Sequence, residues 1–101
     1  MSKQLEGSRP LREIRFSFDW GHQWPLWETG FAARYPEQLG LSVALQEQML
    51  ELQRFWETYY LPETGWDLSA QQEAVFLRRA AIVALSLQLE IADWGRVVFA
   101  V

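Results

Sequence analysis

The sequence predicts an α+β fold, a small two-layer domain in which an αα-hairpin packs on a small sheet. Three observations carry this. Residues 13–19 alternate apolar and polar groups, the period of a strand. Residues 42–60 and 69–90 carry apolar groups three and four apart, the period of a helix. Residues 96–101 return to β-branched and aromatic content. Each element is apolar on one side, so stacking the helices on the strands buries all of them together. The chain has 101 residues, which fits one domain, placed at residues 12–101 after a polar flexible tail over residues 1–11.

The first strand is Glu13–Asp19. Ile14, Phe16 and Phe18 face the core, and Arg15, Ser17 and Asp19 face away. Residues 20–41 follow, holding Trp20, Trp24, Trp27, Phe31 and Tyr35 among Gly21, Pro25, Gly30, Pro36 and Gly40. Glycine and proline at that density break regular structure, so the segment reads as a long aromatic loop with room for one short strand or helical turn. Ser42 then caps a helix whose Leu45, Met49, Leu52, Trp56 and Tyr59 share one face. The helix ends near Tyr60, because Pro62 disfavours a helical residue before it.

Pro62–Asp67 forms a turn, and Ser69 with Gln72 three residues on makes a capping box for the second helix. Phe76, Ala80, Val83 and Leu87 line one face of it. Leu77, Ala81, Ile82, Ala84, Leu85 and Leu89 spread the apolar surface over most of the circumference. A helix of that kind needs covering on more than one side, so it is expected between the first helix and the sheet. Trp94 caps the edge of the core before the last strand, which carries Val97, Phe99 and Val101 on one face. Two strands alone make a marginal sheet. Either residues 20–41 add a strand or a second copy pairs along an edge.

Thirteen acidic residues against nine basic ones give a net charge of −4. That is the wrong sign for binding nucleic acid, whose affinity rests on Lys and Arg at phosphates. The start of the chain has no apolar signal segment, and Ala80–Leu85 is far shorter than the ~20 residues that span a bilayer. The expectation is a cytoplasmic protein without membrane or nucleic-acid contact. The absence of cysteine removes thiolate chemistry and disulfides, and the single histidine, His22, gives a serine triad no support. Ser42 and Ser69 serve as caps, no glycine-rich phosphate cradle precedes either helix, and Asp19, His22 and Glu28 make a poor metal set. No catalytic residue, metal or cofactor is assigned, and the reading is non-enzymatic.

The six tryptophans are the distinctive feature. Trp56 lies on a core stripe, while Trp20, Trp24, Trp27 and Trp66 lie in predicted loops. They either fold back to complete the core or stay exposed as anchors, since Trp dominates binding hot spots. Trp24, Trp27 and Trp66 are the expected partner anchors, with Glu28, Glu63 and Asp67 as an acidic rim.

Ile14–Asp19, the W-P-L-W-E run at Trp24–Glu28, Pro36–Ser42, Phe55-Trp56 and Gly65-Trp66-Asp67 together resemble a family of small acidic bacterial proteins without an assigned function. The resemblance covers about residues 12–90 and implies a single α+β domain, with no activity to carry over. The second helix is more apolar toward its end than that family leads one to expect, which suggests an added interface.

The sequence thus points to an intracellular protein-binding module, in its most specific form an immunity- or antitoxin-like protein that occludes a basic toxin domain. Two alternatives stand beside it. One is a structural homodimer or assembly subunit using helix 69–90 and a strand edge. The other is a small-ligand binder with an aromatic pocket of Trp20, Trp24 and Trp27.

Overall fold

The computed structural model describes residues 11–29 and 33–100. The tail expected over residues 1–11 lies outside them except for Leu11, which is exposed, and so do Phe31 and Val101. Strand β1 is Arg12–Phe16, β2 is Leu26–Glu28, and a 3₁₀ turn covers Pro36–Leu39. Helix α1 is Val43–Tyr59, the short pair β3 and β4 is Tyr60–Leu61 and Gly65–Trp66, α2 is Ala70–Glu90, and β5 is Gly95–Phe99. The expected α+β arrangement holds, with two helices on a small mixed sheet and a separate two-stranded one.

The main sheet has the order β2-β1-β5. β2 runs antiparallel to β1, with Ile14 opposite Glu28 and Phe16 opposite Leu26. β5 runs parallel, with Ile14 opposite Val97 and Phe16 opposite Phe99. The third strand therefore comes from residues 20–41. β1 is shorter than the alternation predicts: its last pairs are Phe16 with Leu26 and with Phe99, and beyond them Pro25 has no N–H to donate, so Ser17 C=O takes the Trp27 indole N–H instead. Phe18 stays buried beyond the strand end, its ring 5.4 Å from Phe16 and from Phe76.

Ile14, Phe16 and Leu26 on the sheet meet Leu45, Met49, Leu52 and Trp56 of α1 and Phe76, Ala80, Val83 and Leu87 of α2. The Ser42 hydroxyl accepts from Leu45 N–H, and Ser69 with Gln72 forms the expected capping box. Tyr59 departs from expectation: it is exposed and lies against Phe55. Tyr60 takes the inward place instead, stacked on Trp56 four residues back at 4.9 Å. The expected turn Pro62–Asp67 is instead the loop, residues 62–64, and the second strand β4 of a β-hairpin, with Gly65 at φ +81°.

α2 corrects a second expectation. Its inward side is buried as read, but among the described residues Ile82, Leu85 and Leu89 are left exposed. In β5, Val97 is half-buried and Phe99 exposed, because β5 is an edge strand. Part of that edge is closed by one side chain. The Gln88 amide donates to Gly95 C=O at 3.1 Å and accepts from Val97 N–H at 2.8 Å. A residue of a neighbouring parallel strand makes the same pair of bonds.

Candidate functional site

The residues expected to bind a partner fall into two groups on different elements. Trp24, Trp27 and Glu28 belong to β2 and the segment before it, while Glu63, Trp66 and Asp67 belong to the hairpin and its exit. Trp24 is half-buried and packs against the core. Trp27 lies on the sheet face away from the helices, donates its indole N–H to Ser17 C=O at 2.9 Å, and holds the His22 ring at 4.8 Å. Trp66 is half-buried against Phe76 and Tyr60. Glu63 and Asp67 are exposed.

Glu28, expected on an acidic rim, is 5% exposed. Its side chain points to the helix side of the sheet and takes the Arg12 guanidinium in a two-bonded pair, both bonds at 2.8 Å. Arg34 adds a third bond at 2.9 Å. The hydrogen bond from Arg12 chiefly, opposed by burial and aided by Arg34, holds the Glu28 carboxyl at about 2. A carboxylate so held is a structural anion, because it takes up no proton near neutrality and is buried from solvent. Arg12 also lies over the Trp94 ring, 4.5 Å from its centre, which fixes the edge that Trp94 was expected to cap.

The three tryptophans of the expected aromatic pocket make separate contacts. Trp20 packs on Trp56 at 4.8 Å, Trp27 on His22, and Trp24 on the core. Near them, a groove of about 410 Å³ runs between Gly21–Gln23 and the α1 residues Leu50, Gln53, Arg54 and Glu57. The Gln53 amide nitrogen donates to Asp19 C=O and to Glu57. Its oxygen and His22 Nε2, both buried beside this groove, have no hydrogen-bond partner among the described residues. Among the described residues no group of three His, Asp or Glu could hold a metal, and no helix is long and apolar enough to cross a membrane.

The surface with the clearest unused binding capacity is the outer side of α2. Its 21 residues extend for about 31 Å. The residues turned to the core follow one stripe, and Val75, Ile82, Leu85 and Leu89 follow another on the opposite side. They are 46%, 57%, 66% and 78% exposed. Val75, Ile82 and Leu89 recur every seven residues, with Arg78 and Leu85 at the intervening positions of the helix. That is the spacing by which one helix seats against another. Ala81 and Ser86, both small, flank the stripe and leave room for close approach.

At the N-terminal end, Val75 also lines a groove of about 340 Å³ with Phe55, Tyr59, Leu68 and Phe76. Arg79, beside the stripe, pairs with Glu51 at 3.1 Å. Among the described residues neither Arg78 nor Asp93, near the two ends of the stripe, takes part in an ion pair. Sequence reasoning expected the apolar excess of this helix to be covered by the first helix and the sheet, or to form an added interface, and placed the anchors on the loop tryptophans. The signal that separates them is the seven-residue repeat lying across the core period.

Comparison with protein-family models, with curated proteins and with solved structures finds no match for this chain.

Proposed function

We propose that the protein works as a docking module, binding another protein through the outer face of α2 rather than carrying out a reaction. The observation that carries this reading is the row of exposed aliphatic side chains Val75, Ile82, Leu85 and Leu89 on one helix of a small domain. A connected apolar surface of that kind commonly marks an interaction site. The composition supports the non-catalytic part, with one histidine and no cysteine. The displaced carboxyl of Glu28 is consumed by Arg12 and Arg34.

An immunity- or antitoxin-like role against a basic domain is the more specific form of the proposal. Its support is the net charge of −4 and the exposed Glu63 and Asp67 on the hairpin, which favour encounter with a cationic partner. Membership of the small acidic family resembled by the W-P-L-W-E and G-W-D motifs fits either form.

The test is capture from the native cell on immobilised protein, wild type against Leu85→Glu. The expected result is a protein retained by the wild type and lost from the variant, with equal helical content in both. Retention that Leu85→Glu and Leu89→Gln leave unchanged would remove α2 as the docking surface.

A further inference from the structure

We infer that the occupant of the α2 face is a second copy of this chain, packed antiparallel about a two-fold axis near Leu85. The inference rests on the reading of α2 as a docking surface and names its partner.

The argument is self-complementarity. A two-fold pair sets the same patch against itself, so every residue meets the residue on the other side of the axis. The three most exposed aliphatic residues of α2 are Ile82, Leu85 and Leu89. With the axis between Leu85 and Ser86, Leu85 packs beside its own copy and Ile82 lies opposite Leu89 of the other chain. Ser86 and Ala81 supply the small positions at which two helices come close.

The charges select the direction. Arg78 stands on α2 seven residues before Leu85, and Asp93 lies in the turn just past the end of α2 at Glu90. An antiparallel pair centred there sets Arg78 of each copy beside the C-terminal end of the other α2, the end that Asp93 follows, so opposite charges lie near both ends. A parallel pair sets Arg78 against Arg78 and Asp93 against Asp93. Both groups are exposed and, among the described residues, neither has an ion-pair partner within its own chain. Other charges near the face are already engaged: Arg79 with Glu51, and Glu90 with the Ser42 hydroxyl and N–H.

Sedimentation equilibrium of the full chain over a wide concentration range tests this. The expected result is a mass rising from 11.9 kDa toward twice that value. Leu85→Glu, which places two like charges beside the axis, shifts dissociation by about a hundredfold or more. Ile82→Gln, a milder change on the same stripe, weakens the pair with helical content unchanged. Arg78→Asp weakens it by about tenfold, and adding Asp93→Arg to that variant restores it, which a parallel or unrelated contact does not do. A chain that stays monomeric at every concentration overturns the second copy as occupant. The docking reading still stands in that case if Leu85→Glu abolishes capture of another protein. A dimer indifferent to Leu85→Glu and Ile82→Gln overturns the placement on α2, and failure of the charge swap to restore pairing overturns the antiparallel register.

Discussion

Glu28 is the residue at which local reading and structure differ most. In sequence it ends an aromatic run and reads as a surface acid. In the fold it is buried between Arg12, sixteen positions earlier, and Arg34, six later. That environment appears only once β1 and β2 pair, and no periodicity announces it. The sign of its effect on stability follows from the displaced carboxyl. It is held at about 2, below its ordinary 4.5, so its contribution is fully present above pH 4.5 and is lost as the pH falls from 4.5 toward 2. With Arg12 partly in solvent, the contribution is on the order of 2 kcal/mol. Urea unfolding at pH 7 should show Glu28→Gln less stable by about that amount, and the gap to wild type should close near pH 2. A constant gap across that range would assign the loss to packing instead. Gly95 makes a steric counterpart. A Cβ there would lie 2.7 Å from Ile91 Cδ1, and Ile91 is fully buried. Gly95→Ala should cost about 1–3 kcal/mol, and Ile91→Val, which deletes that methyl, should recover part of the loss in the double variant.

At the scale of elements, the helices were readable because their limits are written locally. Ser42 and Ser69 each accept from a backbone N–H three residues on, and Pro62 closes the first helix. Ser69→Ala should lower stability by about 1 kcal/mol in thermal unfolding, since it removes one half of the capping box. The short strand β2 was less readable. Its three residues sit among Gly and Pro, and they become a strand only by bonding to β1, with Arg34 N–H reaching Leu26 C=O on the far side. The edge of β5 shows a similar dependence on distant partners. Gln88 reads as a surface polar residue of α2, yet its amide closes two backbone groups of the strand. Gln88→Ala should leave Val97 N–H open to solvent. The expected outcome is faster hydrogen exchange at that amide and a loss of about 1–2 kcal/mol, whereas unchanged exchange would mean that the edge is protected in another way. The candidate site was legible only in part. The excess of apolar residues on α2 was plain, but composition does not say whether the same chain or another molecule covers them.

The whole molecule sets how strongly two copies can hold each other. Ile82, Leu85 and Leu89 are between 57% and 78% exposed, so covering them removes about two-thirds of each from water. Full burial of such a side chain contributes about 1.5–3 kcal/mol, which leaves on the order of 1–2 kcal/mol for each here. Three side chains from each copy then contribute roughly 6–12 kcal/mol, against a cost of association of about 4–15 kcal/mol. These ranges overlap, so the pair should be reversible and form in the micromolar range or above, not as an obligate dimer. A small domain also has little stability of its own in reserve. Association should therefore appear in unfolding by mass action, because only the folded chain presents a continuous α2 face. The midpoint of thermal unfolding should rise by roughly 5 °C between protein concentrations well below and well above dissociation. Leu85→Glu should unfold at one temperature regardless of concentration, and that temperature should match wild type at high dilution, because an exposed side chain contributes little within the single chain. A wild-type midpoint independent of concentration would mean that the exposed stripe of α2 is left uncovered by its own kind.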